Sequence, residues 1–146
     1  MANNYTEATM TPDVFLTERQ EKLLHCYGAS CHGPKGGPLY VCWEDHFSEQ
    51  PDEMDFDEEI ADGIEEDVVL PSVEHFLRDI LMNPENKDVE ALNVEGCHRC
   101  DKMRSGEFGG FALMVTRKEY AWCNTGMLRQ GKGGKIVPNQ IKVLAF

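Results

Sequence analysis

The chain has 146 residues, with 26 Asp or Glu against 14 Lys or Arg and a formal net charge of −12. This length allows one domain, or at most one with an appendage, and 41% hydrophobic residues supply a modest core that a wholly disordered chain would lack. The negative charge excludes whole-surface attraction to DNA, RNA or an anionic membrane, because those partners are themselves negative.

No window approaches about 18 uncharged apolar residues, so no membrane span is expected. Met1 to Thr11 lacks the basic and apolar regions of a secretory signal. The expected compartment is therefore the cytoplasm, where thiols stay reduced.

In chain order, Thr11-Pro12-Asp13 predicts a helix start, with Thr11 as N-cap and Pro12 in the first turn. Val14, Phe15, Leu16, Leu23 and Leu24 form the docking face of that helix, which runs to about His25. Gly33 to Pro38 reads as a turn, and Leu39 to Trp43 as a short strand. Glu44 to Asp67 follows with 13 carboxylates and no Lys or Arg. Within it, Phe56, Ile60 and Ile64 share one side of a helix predicted over about 55–66, with acids around the rest. Pro71-Ser72 opens a helix over Val73 to Met82 whose apolar face is Val73, Phe76, Leu77, Ile80 and Leu81. Pro84 ends it, and a short further helix is expected over 85–92. Phe108 to Thr116, Glu119 to Asn124 and Lys135 to Phe146 read as strands separated by glycine turns.

The expected fold is α+β: a small single domain with two or three helices and a small antiparallel sheet. It divides into a helix and first cysteine pair (12–43), an acidic helical insertion (44–93), and a second cysteine pair with a basic β-rich part (94–146). The charge divides likewise. Residues 1–97 hold 23 acids and 5 bases, a balance of −18, whereas residues 98–146 hold 3 acids and 9 bases, a balance of +6.

Six cysteines stand at 26, 31, 42, 97, 100 and 123. Spaced pairs in a reduced compartment point to metal. Cys97-His98-Arg99-Cys100 has C-x2-C spacing and Cys26 to Cys31 has C-x4-C spacing, so Cys26, Cys31, Cys97 and Cys100 are the expected ligands of one structural zinc ion. His25, His32 and His98 flank the pairs and are alternates for a Cys3His set. Cys42 and Cys123 lie in apolar stretches and read as core thiols. The pairs and their order resemble a zinc ribbon or treble clef interrupted by the acidic helical insertion. The resemblance covers about 30 residues and implies a closed, four-ligand structural site, without naming a substrate.

Cys31-His32-Gly33, with Cys26 upstream, also resembles the haem-attachment segment of c-type cytochromes, which would make His32 an axial ligand with Met82 or Met103 opposite. The spacing departs from that segment, since Gly28 stands where its first cysteine belongs. Gly126 to Gly133 matches part of a phosphate-binding loop, but Gly133 replaces the metal-binding hydroxyl residue and a strand follows instead of a helix. There is no H-E-x-x-H, G-x-S-x-G or H-x-E with P-C-x-x-C.

The sequence therefore predicts a non-enzymatic, acidic, zinc-stabilised protein that engages a basic surface on a partner protein. Asp52, Glu53, Asp55, Asp57, Glu58, Glu59, Asp62, Glu65 and Glu66 form the expected partner surface. Carboxylates spaced a few ångströms apart imitate a phosphate backbone. The sharper expectation is thus a nucleic-acid-mimicking inhibitor of a nucleic-acid-handling complex, by analogy with small acidic inhibitors of phages and mobile elements. One alternative is a zinc-knuckle nucleic-acid binder using Arg99, Lys102, Arg104, Arg117, Lys118, Arg129, Lys132 and Lys135, with Tyr120 and Trp122 available for stacking. Another is a small zinc or thiol enzyme.

Overall fold

The computed structural model describes residues 4–51, 69–100, 109–138 and 140–146. Among the described residues, nine strands run β1 Asn4–Val14, β2 Ala29–His32, β3 Leu39–Trp43, β4 Ala91–Cys100, β5 Gly109–Thr116, β6 Glu119–Asn124, β7 Leu128–Gln130, β8 Ile136–Pro138 and β9 Val143–Ala145. Two short α-helices accompany them among the described residues, α1 Glu18–Leu24 and α2 Val73–Leu81. Seven strands form one antiparallel sheet in the order β2-β3-β1-β4-β5-β6-β9, and β7 and β8 form a separate hairpin. No helix among the described residues is long and apolar enough to cross a membrane.

This architecture overturns the expected α+β fold with a small sheet and a zinc-ribbon-like or treble-clef-like site. The seven-stranded sheet is the body of the molecule, and the helices are additions to one face. The predicted first helix begins six residues later than expected. Residues 4–14 are an interior strand of the sheet, between β3 and β4, and Thr17 caps α1, its hydroxyl accepting from Gln20 N while the Gln20 side chain accepts from Thr17 N, both at 3.1 Å. Pro12 does not open a helix; it lies where the β1–β3 register shifts between Met10 and Val14, a site that tolerates a missing N–H.

The second cysteine pair, expected as a knuckle, belongs to the continuous strand β4. Leu92, Val94 and Gly96 alternate there with Asn93, Glu95 and Cys97, the period-2 pattern of a half-buried strand. The short helix expected over 85–92 is a single turn at Pro84–Asn86 followed by β4. Elsewhere the sequence pattern holds: β3 spans the predicted Leu39–Trp43, and the five predicted apolar residues of α2 are all buried. The acidic helix predicted over 55–66 lies outside the described residues.

One face of the sheet carries the core. Ala8, Met10 and Val14 of β1, Val41 and Trp43 of β3, Leu92 and Val94 of β4, and Leu113 and Val115 of β5 pack with Leu23, Leu24, Phe76, Leu77 and Ile80 from the helices. Tyr27, fully buried after α1, stacks on Phe76 at 4.5 Å and donates its hydroxyl to Pro71 O at 2.6 Å. Gly28 then turns the chain into β2 with φ of +83°, and a Cβ there would collide with the His46 carbonyl. Because both helices use one face, strand alternation presents the other to solvent. Ser30, Cys42, Thr9, Glu95, Ala112 and Cys123 form one cross-strand row on that open face.

Candidate metal centre on the open sheet face

β3 places Leu39, Val41 and Trp43 into the core, which turns Tyr40, Cys42 and the following Glu44 toward the open face. The hairpin partner β2 sets Ser30 opposite Cys42 and His32 opposite Tyr40. The Gly33–Pro38 turn joins the two strands, with Gly37 N donating to Pro34 O at 3.1 Å. Side chains of His32, Cys42 and Glu44 are thereby gathered so that one ligand atom from each lies within 4.8 Å of the others. This group can hold a metal ion. Cys42 is buried, whereas His32 and Glu44 are exposed. The Ser30 hydroxyl stands between two of the donors, 3.3 Å from His32 Nε2 and 3.6 Å from Cys42 Sγ.

The group sits at one side of an open depression of about 660 Å³ that crosses β3, β1 and β4. Glu7, Thr9, Tyr40, Glu95 and Cys97 also line it. Glu7 is paired with Arg99 at 3.0 Å, the one ion pair among the described residues. Three carboxylates, one imidazole and two thiols therefore border a single concave surface. A thiolate, an imidazole and a carboxylate suit a borderline divalent ion such as zinc.

The predicted ligands are distributed differently. Cys26 is buried in the turn after α1, and Cys31 on β2 packs against the core. Burial, then the negative charge of Glu21 and Cys42, pushes the Cys31 thiol above its ordinary range. Cys97 is exposed and Cys100 buried, as expected of residues three apart in a strand, which point to opposite sides. Among the described residues, no three of Cys26, Cys31, Cys97 and Cys100 bring their sulfurs within 4.8 Å of one another. Of the alternates, His25 is exposed at the end of α1, and His98 stacks on Phe111 at 5.2 Å with Nδ1 3.0 Å from Thr6 Oγ1. His32 alone belongs to the group described above.

Cys42 and Glu44 were not among the expected ligands, since Cys42 reads as a core thiol and Glu44 as the first acid of a long run. The available signal was Cys-x-Glu at the end of a strand, with a histidine ten residues earlier across a glycine-proline turn. The acids from Asp52 to Glu66 lie outside the described residues, as do Lys102 and Arg104 and the side chain of Arg129. Lys118, Lys132 and Lys135 are exposed. Arg117 turns inward, donating to Val89 O at 2.7 Å, Leu81 O at 3.0 Å and Asn86 O at 2.9 Å. Arg99 is engaged by Glu7 and lies 4.5 Å over the Tyr5 ring.

No protein-family model, curated protein or solved structure matches this chain.

Proposed function

We propose that the chain is a non-enzymatic, zinc-holding acidic protein that engages a basic surface on a partner protein, in the manner of a nucleic-acid mimic. The observation that carries this reading is how the cations are used. Arg117 and Arg78 donate to backbone carbonyls, and Arg99 is matched by Glu7, so these charges serve the fold or its neighbours. The chain carries a net charge of −12, and among the described residues Glu44 and Glu95 are exposed on the open face. Such a surface attracts a basic groove at long range and raises the association rate.

Zinc is the proposed metal and His32, Cys42 and Glu44 its proposed holders, because this donor set matches the ion's preference for sulfur and nitrogen with an added carboxylate. Binding is favoured over catalysis because His32 and Glu44 face water. Electrostatic catalysis depends on a dry, enclosed site. The alternative nucleic-acid surface in the C-terminal third loses Arg117 to carbonyl bonding and Arg99 to Glu7.

A pull-down with the intact protein from a nucleic-acid-depleted lysate, eluted with rising salt, tests this reading. A dominant basic, nucleic-acid-handling protein that competing DNA displaces is the expected result. Joint replacement of Asp55, Asp57, Glu58 and Glu59 by Asn or Gln should then weaken binding about ten-fold or more at low salt without changing the thermal midpoint. Unchanged affinity rejects the acidic stretch as the contact. Retention that appears only when nucleic acid is restored moves the working surface to the basic third.

A further inference from the structure

The His32, Cys42 and Glu44 group supplies three donors, one fewer than a tetrahedral zinc ion accepts. Among the described residues, no fourth His, Cys, Asp or Glu belongs to the group. Cys97 and Glu95 line the same depression but belong to β4, separated from β3 by the whole width of β1. Glu7, on the intervening strand, is committed to Arg99. An ion held by the three residues therefore keeps one position directed into the open depression.

Charge arithmetic decides what that position takes. A Cys42 thiolate and a Glu44 carboxylate together neutralise a divalent ion, and His32 adds no charge as a neutral ligand. An anionic fourth ligand would leave the centre negative, in the same depression as the exposed carboxylate of Glu95. A neutral donor leaves it uncharged. Resting on the proposal that zinc binds here, we propose that the open position accepts a neutral nitrogen donor of the imidazole class and discriminates against anions. The source is either a small imidazole or a histidine side chain on a partner protein. The Ser30 hydroxyl supports the centre from behind: it already contacts both His32 Nε2 and Cys42 Sγ, and can donate to the thiolate once the metal is bound.

The test uses the full chain loaded with zinc or cobalt(II). Equilibrium dialysis should find about one zinc per chain. Cobalt should give a thiolate charge-transfer band that Cys42→Ser abolishes, and Ser30→Ala should weaken uptake about ten-fold. His32→Gln and Glu44→Gln alter exposed side chains and so leave the fold intact; each should also lower affinity. A folded chain that takes up no metal defeats the zinc reading and this inference with it, whereas one that loses cobalt through Cys97→Ser and not Cys42→Ser holds its metal elsewhere and overturns this inference alone.

Imidazole added to the cobalt form should then shift the d–d bands saturably, whereas azide and acetate at equal concentration should not. Loaded protein that ignores imidazole, or responds equally to azide, overturns the inference while leaving the zinc reading intact. A short histidine-containing peptide separates the two sources. Binding about ten-fold tighter than imidazole identifies a partner side chain, and equal binding identifies a small ligand.

Discussion

Tyr27 joins three parts of the core through one residue. Its ring stacks on Phe76, its hydroxyl donates to Pro71 O, and its own carbonyl accepts from Trp43 Nε1 at 3.1 Å. Burial, followed by the nearby negative groups Cys26, Asp79 and Glu74, pushes the phenol above its ordinary value. A group raised in the folded state keeps its full contribution below the unfolded pKa of about 10 and loses it as pH climbs toward the folded value. The denaturation midpoint should therefore fall steeply from pH 9 to 11 in the natural protein and more gently in Tyr27→Phe; equal slopes would assign alkaline sensitivity elsewhere. Asn86 is a second such residue, 1% exposed. Its amide accepts from Phe15 N and donates to Phe15 O and Ile80 O at 2.8 to 2.9 Å. Asn86→Ala orphans those groups and should cost about 3 kcal/mol in a urea titration with an unchanged slope. Neither role was legible in the sequence. An asparagine after Pro84 reads as turn chemistry, and only the tertiary approach of Phe15 makes it a core hydrogen-bonding hub.

At the scale of elements, α2 was legible and β4 was not, for a physical reason. The five apolar residues of α2 recur at helical spacing between a Ser cap and Pro84, so local pattern and tertiary burial agree. In β4 the inward alternation ends on a glycine, and the cysteines compete for attention with the strand period. Gly96 is inward because Phe111, directly opposite on β5, lays its ring across the position. A Cβ at 96 would collide with that ring and lie 2.9 Å from Glu7 O. Gly96→Ala should thus destabilise by about 1 to 3 kcal/mol, and Phe111→Ala in the same chain should recover part of that loss in a double-mutant cycle. Additive costs would mean the two residues do not share the space. The metal-competent group is likewise an element-scale property. Cys42 and Glu44 share a side because they are two apart in a strand, and His32 meets them because the turn closes β2 onto β3.

Across the whole molecule, the sheet order places the first strand in the interior, third of seven and beside the central β4. β1 pairs with β3 on one side and β4 on the other, and contributes Ala8, Met10 and Val14 to the core. Deleting residues 4–14 exposes two new strand edges and empties the middle of the core, so the remaining chain should show no cooperative thermal transition. A sharp melt would mean that β3 and β4 pair directly. This arrangement was hidden in the sequence because Thr-Glu-Ala-Thr-Met-Thr has the weak alternation of a strand whose neighbours supply most of the apolar surface. The acidic excess was read directly, since net charge depends on composition and not on fold.

The interior position of β1 also fixes an order of events during synthesis. Residues 4–14 leave the ribosome before their second neighbour, which begins at Ala91 and follows about 77 residues later, on the order of 4 to 15 s at ordinary elongation rates. During that interval β3 can dock on one edge while the other stays bare. Glu7 and Pro12 lie on that waiting strand, and both a charge and a proline discourage pairing with foreign edges. The 13 carboxylates of residues 44–67 emerge in the same interval and make neighbouring nascent chains repel one another. A run of like charge is thus made before the sheet can close over β1.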